Sequence, residues 1–295
     1  MKNFAIIGVG GYIAPRHLEA IKSTGNTLVA AFDPKDSVGI LDRYFPDCQF
    51  FTEFERFESF IETQKIDYVS ICSPNYLHSS HIKFALRNGA NAICEKPLVL
   101  NESDIDELVE YEKKYNKKVF TILQLRVHDS IVELKNKILT ENKEHYQVDL
   151  TYLTSRGNWY FESWKGDESK SGGLSTNIGV HFFDMLTWIF GELKEVKIEK
   201  KTASLEIGLV ELDKATVRWK LSVDRNELPK SAIESGKTTF RSIRINEQEF
   251  EFSEGFTELH NKVYERTLSG IGYGLEDART AIKIVEQLRK SNELY

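Results

Sequence analysis

The sequence predicts an α/β protein in two parts: a doubly wound domain with a parallel sheet over residues 1–123, then an α+β domain with an open, mainly antiparallel sheet over residues 124–295. Three observations predict it. Short apolar runs alternate with amphipathic segments through the first part, the pattern of repeated βαβ units. A glycine-rich turn closes the first apolar run, where a doubly wound sheet places its sharpest strand-to-helix connection. Beyond residue 124 the apolar runs lengthen and alternate with polar residues, as half-exposed antiparallel strands do.

Taken in order, strands are predicted at residues 4–7, 28–32, 68–72, 92–94 and 119–123. A helix is predicted over 103–115, with Asn101 as its N-cap and Asp104, Asp106 and Glu107 at the positive end of its dipole. In the second part a helix over 130–140 precedes strands at 146–155, 205–212 and 215–223. Asp213-Lys214 supplies a turn between the last two. A helix over 177–190 ends at Gly191, and helices over 257–268 and 276–290 close the chain. The phenylalanines at 50, 51, 54, 57, 60, 182 and 183 read as core or interface packing.

Composition narrows the functional classes. Hydrophobic residues at 41% and aromatics at 12% supply a packed core. A net charge of −6 argues against general nucleic-acid or anionic-membrane binding, so a phosphate-bearing ligand must meet a local basic patch. Cys48, Cys72 and Cys94 lack metal-ligand spacing, and the last two lie in apolar runs as reduced core thiols; no metal is expected. Met1-Lys2-Asn3 leads straight into a strand and no apolar run reaches membrane length, so the expectation is a soluble, cytoplasmic protein.

The first turn reads Gly8-Val9-Gly10-Gly11-Tyr12-Ile13-Ala14-Pro15. Glycines there let a backbone approach a pyrophosphate resting on the next helix N-terminus, and Pro15 suits that helix start. The third glycine position of the usual fingerprint is Ile13. The second strand ends at Asp33, whose carboxylate suits the ribose hydroxyls of NAD and repels a 2′-phosphate. Strand, turn, helix, strand and acid in that order define a Rossmann-type domain. Ser73-Pro74-Asn75-Tyr76-Leu77-His78 follows the 68–72 strand and Glu95-Lys96-Pro97 follows the next, both at carboxyl ends where such sheets bind ligands.

The glycine turn, the Ser-Pro-Asn loop with His78, and Glu95-Lys96-Pro97 together resemble the glucose–fructose oxidoreductase / inositol dehydrogenase / MocA family of sugar dehydrogenases. The run from Lys170 to Asp184, with Gly172-Gly173, Asn177 and His181, extends the resemblance across the chain. Stretches at 11–17, 152–160 and 163–168 are similar to a bacterial subgroup, the UDP-N-acetylglucosaminuronate 3-dehydrogenases. The resemblance implies that Lys96 reaches the reacting carbinol, that the bond to Pro97 is often cis, and that His181 shares the acid/base work. Many members have aspartate where this chain has Asn177, which cannot carry a proton charge and becomes a hydrogen-bonding orienter.

Further implications follow from the resemblance. Gly8, Gly10, Tyr12, Ile13, Asp33, Ser73, Asn75, His78, Glu95, Lys96, Gln124 and Trp164 are expected around NAD. Arg126, Arg156, Trp159, Tyr160, Lys165, Asn177 and His181 are expected around a UDP-linked N-acetylated uronic acid, with Lys170 adding positive charge. Trp159 or Tyr160 offers a ring on which a uracil or sugar face can stack. The expected reaction is oxidation of the 3-hydroxyl, in surface-polysaccharide (O-antigen) sugar synthesis, by a homo-oligomer (dimer or tetramer), with 2-oxoglutarate as a possible electron acceptor. A dehydrogenase of a free sugar or inositol, and a non-catalytic NAD or sugar-nucleotide sensor, are the competing readings.

Overall fold

A parallel sheet forms the heart of the first unit in the computed structural model, which describes residues 1–141, 143–250 and 258–291. The chain divides into two compact units, Met1–Gln124 with Thr257–Arg279, and Leu125–Phe256 with Thr280–Tyr295.

In the first unit, strands β1 (Asn3–Ile7), β2 (Thr27–Phe32), β3 (Gln49–Phe51), β4 (Tyr68–Ile71), β5 (Asn91–Cys94) and β6 (Val119–Thr121) alternate with helices α1 (Ala14–Ser23), α2 (Ile40–Tyr44), α3 (Phe54–Thr63), α4 (His78–Arg87) and α5 (Glu102–Tyr115). The sheet order is β3-β2-β1-β4-β5-β6, all parallel. The order reverses between β1 and β4, the topological switch beside which such sheets bind ligands. All of β4 and four of the five residues of β1 are buried, which explains their unbroken apolar runs.

The short β3 falls within the phenylalanine set assigned to packing, and Phe51, Phe54, Phe57 and Phe60 of that set lie in one cluster of rings. Phe32, Phe51, Phe54, Phe57, Phe60 and Phe84 form successive ring pairs with centroids 5.1–6.1 Å apart. Such pairs contribute about 0.5–1.5 kcal/mol each beyond their buried area.

One boundary needs correction. The sequence reading gave everything after residue 123 to the second domain, yet helix α11 (Leu259–Leu268) and the residues to Arg279 fold with the first. Tyr264 stacks on Phe4 of β1 at 6.0 Å, and Thr121 donates its amide to the Tyr273 carbonyl at 2.9 Å. That returning backbone covers the open edge of β6, which would otherwise present unpaired polar groups. The predicted helix at 257–268 begins on Thr257, which lies outside the described residues.

In the second unit α6 (Asp129–Thr140) precedes β7 (Tyr146–Thr154), the single turns α7 (Trp159–Glu162) and α8 (Glu168–Ser171), and α9 (Val180–Phe190). Then come β8 (Leu193–Lys201), β9 (Leu205–Leu212), β10 (Ala215–Ser222), α10 (Lys230–Glu234), β11 (Thr239–Ile245) and β12 (Gln248–Glu249), and α12 (Leu275–Lys290) runs on into this unit from residue 280. The sheet order is β12-β11-β7-β10-β9-β8, parallel between β7 and β10 and antiparallel elsewhere. The predicted β9–β10 hairpin is present. The sequence reading did not name β8, whose run Leu-Lys-Glu-Val-Lys-Ile-Glu-Lys-Lys is the charged composition of a guarded sheet edge.

Candidate active site

Apart from Trp164, which lies in the second unit, the residues expected around a dinucleotide follow the carboxyl ends of β1, β2, β4, β5 and β6, within one unit. Gly8 adopts φ +88°, and a β-carbon there would lie 2.7 Å from the backbone of Cys72 and Ser73. Gly8 therefore lets the first turn press against the end of β4. Gly10 donates its amide to Asp33 Oδ2 at 2.9 Å, and the other Asp33 oxygen accepts the Lys35 amide at 2.9 Å. Each carboxylate oxygen keeps a second acceptor position for a ribose hydroxyl. Ile13 occupies the N-cap of α1 with Pro15 behind it, and Tyr12 is 88% exposed. Gln124 Oε1 is buried with no hydrogen-bond partner among the described residues, an acceptor that a bound ligand can satisfy. This constellation fits NAD: a glycine turn without room for side chains, an acid at the end of β2, and an unsatisfied amide oxygen.

The Ser73–His78 loop departs from its expected role in two places. His78 is 1% exposed, with Nδ1 at 2.7 Å from the Pro97 carbonyl and Nε2 at 2.8 Å from the Ser73 carbonyl. It ties the two loops together as a strut, and its nitrogens face backbone instead of a cofactor. Burial lowers its pKa, against the opposing pull of the two carbonyls. The Ser73 hydroxyl is engaged with His81 Nδ1 at 2.8 Å. Asn75, 5% exposed, opens the 3-10 turn leading to α4.

Lys96 is half-buried beyond β5, and the Lys96–Pro97 bond is cis. The Glu95 carboxylate beside it is buried. Its Oε1 accepts from His17 Nε2 at 3.0 Å and His260 Nε2 at 2.8 Å, and its Oε2 from the Lys96 amide at 3.1 Å. Burial pushes the Glu95 carboxyl up, but the two histidine hydrogen bonds outweigh it and hold it well below the usual carboxylate range. The sequence reading missed His17, Tyr264 and His260 as site residues. His260 lies 165 positions from Glu95, and no local pattern could have paired them.

In the second unit the helix predicted over 177–190 starts with a π-helical turn, Ser175–Gly179, that passes into α9. π-Turns frequently mark functional sites. Gly179 makes it fit, because a β-carbon there would lie 2.5 Å from Leu221 Cδ1. From Leu174 to Leu186, Asn177 and His181 are the two residues that are not buried, so one face presents both. Asn177 donates to the Tyr160 hydroxyl at 2.9 Å, and Tyr152 meets the His181 ring edge-on at 5.9 Å.

Two substrate expectations are corrected here. Arg126 forms a buried bidentate ion pair with Asp184 (3.1 and 2.7 Å), so its guanidinium neutralises an internal carboxylate and is no open partner for a diphosphate. Tyr160 is 3% exposed, which removes its ring as a stacking face, while Trp159 is 52% exposed and keeps one. Lys165 Nζ lies 5.3 Å from the Trp159 ring and 5.6 Å from that of Trp164. Arg156 is exposed, and Lys170 pairs with Asp167 at 3.2 Å.

Residues 2–123 match the oxidoreductase family with an NAD-binding Rossmann fold, and residues 144–218 match its C-terminal alpha/beta domain. The chain belongs to this family, the GFO/IDH/MocA oxidoreductases. It is similar to the WlbA (WbpB) dehydrogenase from Thermus thermophilus, solved in complex with NAD and alpha-ketoglutarate: 50% identity, TM-score 0.96, covering 99% of this chain and 96% of that one. The same enzyme in complex with NAD and UDP-GlcNAcA matches at 49% identity and TM-score 0.95, over 98% and 95% of the two chains. The YteT oxidoreductase of Bacillus subtilis is 29% identical over 168 residues, 55% of this chain. The matched stretches span between 39% and 52% of the length of that and the two curated relatives next in similarity. Among the described residues no helix is long and apolar enough to cross a membrane.

Proposed function

We propose that this chain is an NAD-dependent dehydrogenase that oxidises the 3-hydroxyl of UDP-N-acetylglucosaminuronic acid to the 3-keto sugar. The observation that carries the reading is the 49% identity, across nearly the whole chain, to a dehydrogenase that binds NAD and UDP-GlcNAcA. The residues agree with it. Gly8, Gly10, Asp33 and Gln124 would hold NAD, which when bound supplies the hydride acceptor.

The chain's own groups move the proton. Oxidation breaks the C3–H and O3–H bonds and forms a carbonyl, so a base must receive the hydroxyl proton as the hydride leaves. His181 is that base, and Lys96 supplies hydrogen bonding and positive charge. Asn177, held by Tyr160, orients the sugar and carries no proton. Trp159 stacks on the uracil or the sugar, while Arg156 and Lys165 meet negative charge in an otherwise acidic protein. Reoxidation of the bound cofactor uses 2-oxoglutarate, which takes the hydride and a proton to become 2-hydroxyglutarate. The alpha-ketoglutarate bound by the Thermus enzyme supports this half-reaction. The working form is a homo-oligomer.

Single-turnover oxidation with UDP-N-acetylglucosaminuronate tests the proposal, following nicotinamide absorbance and trapping the product with borodeuteride. Deuterium at C3 is expected. Deuterium at another carbon, or equal activity on the free sugar acid, overturns it. The neutral analogue UDP-N-acetylglucosamine should react slower by roughly one to two orders of magnitude, because a carboxylate partner stays unpaired.

A further inference from the structure

Lys96 stands between two anchored neighbours. On one side the Glu95 carboxylate, 5% exposed, reaches His17 on α1 and His260 on α11. On the other, the Pro97 carbonyl faces His78 on α4 at 2.7 Å. Glu95 Oε2 also accepts the amide of Lys96 itself.

The proton positions in this cluster are assigned from Glu95, whose lowered pKa makes its carboxylate an acceptor. Glu95 Oε1 accepts from both imidazoles, so each carries its proton on Nε2. His17 Nδ1 is then an acceptor, and it lies 2.7 Å from the Tyr264 hydroxyl, which must donate to it. The Tyr264 oxygen in turn accepts the Ser70 hydroxyl at 2.7 Å. With His17 neutral, donation runs from Ser70 through Tyr264 and His17 to an ionised Glu95. Burial lowers the His17 pKa and so favours that neutral form. His260 Nδ1 has no hydrogen-bond partner among the described residues, which leaves Glu95 as the recipient of this ring's proton.

The three ligand-type atoms of His17, Glu95 and His260 lie within 4.8 Å of one another, and a metal is the rival explanation. The 3.0 and 2.8 Å separations are those of hydrogen bonds. Tetrahedral ligands about 2.1 Å from a zinc ion stand roughly 3.4 Å apart. The donor chain also accounts for the protons without an ion.

We infer that His17, His260 and Tyr264 are positioning residues for Lys96, acting through the Glu95 carboxylate. They fix Glu95 in one rotamer and in its charged form, and Glu95 fixes the backbone from which the Lys96 side chain departs. The inference rests on the proposed acid/base role of Lys96.

The test uses the full-length NAD-loaded enzyme and two independent readouts. His260→Leu removes the donor, while His260→Gln keeps an N–H in a similar place. The first should lower the single-turnover rate by about tenfold to a hundredfold, with KM and the NAD Kd changed less than about threefold, because misplacement of a reacting group costs rate before affinity. His260→Gln should recover most of that loss, and Tyr264→Phe should fall between. The second readout is amide hydrogen exchange at Lys96, followed by NMR without any sugar, which should quicken in His260→Leu and Tyr264→Phe. If the wild-type enzyme fails to oxidise the UDP-sugar, the functional reading falls and the exchange rates alone decide the network. An unchanged rate with unchanged exchange at Lys96 in His260→Leu overturns the inference. So does a His260→Gln variant as impaired as His260→Leu.

Discussion

Asp33 accepts the Gly10 amide through one carboxylate oxygen and the Lys35 amide through the other, both at 2.9 Å. The acid is thus part of the glycine turn as well as its neighbour. A carboxylate held this way cannot swing aside for a 2′-phosphate, so NAD should bind much more tightly than NADP. Asp33→Ser should narrow the ratio of the two Kd values by at least about tenfold, chiefly by improving NADP, since relief of like-charge repulsion is worth a kcal/mol or more. NAD binding should weaken modestly because one of the two amides loses its acceptor. Isothermal titration with both cofactors checks this, and equal affinities in the wild type refute it.

Lys96→Met and His181→Asn should each lower single-turnover oxidation by roughly 10²-fold or more, the scale of a positioned acid/base group. The NAD Kd should change far less. If the two act on one oxygen, the double variant should be only slightly worse than either single one. Multiplying effects would assign them to separate steps.

The buried Arg126–Asp184 pair should govern stability instead of substrate affinity. Arg126→Met alone leaves the buried Asp184 charge without its bidentate partner and should cost about 3–5 kcal/mol. The double variant Arg126→Met/Asp184→Leu should recover most of that, and its KM for the UDP-sugar should match the wild type. Urea denaturation and steady-state kinetics decide between this and a diphosphate-binding arginine.

Glu206 on β9 is 2% exposed and accepts the Ser175 amide at 3.1 Å. Burial pushes its carboxyl up to about 7, against the opposing pull of Lys201 and the Ser175 hydrogen bonds. The folded protein therefore binds this proton more tightly than the unfolded chain does. Stability from this group is fully present below the unfolded value near 4.5 and is lost as pH rises through about 7. Glu206→Gln keeps an acceptor for Ser175 and removes the charge. It should flatten the fall in unfolding free energy between those pH values and gain a few kcal/mol above pH 7. An unchanged pH slope would show that Glu206 is not the group responsible.

Trp159→Ala should raise the KM for the UDP-sugar by roughly tenfold, since stacking of a base on an aromatic ring contributes about 1–3 kcal/mol. Tyr160→Phe should leave KM nearly unchanged and lower the rate instead, because it removes the hydroxyl that holds Asn177. The contrast between the two adjacent rings is the measurement.

Much of this was legible in local sequence. The βαβ alternation, the glycine turn, Asp33 and Glu95-Lys96-Pro97 each depend on a few consecutive residues, and the fold places all of them at the carboxyl ends of parallel strands. The Asn177–His181 spacing likewise foretold a shared face, although the π-turn that holds Asn177 did not show in the pattern. Charge misled the reading of Arg126. In sequence an arginine is a free cation, and Asp184, 58 residues away, turns it into an internal ion pair.

The sequence by itself determined the class of fold and the cofactor-binding turn, because those follow from short-range backbone geometry and residue type. Only the tertiary structure decided what surrounds Glu95. The return of α11 to the first unit brings His260 and Tyr264 against Glu95 and His17, and a buried carboxylate takes its charge state from whatever donors packing delivers to it. Those donors, His17 and His260, lie 78 and 165 positions from Glu95, beyond the reach of any local pattern.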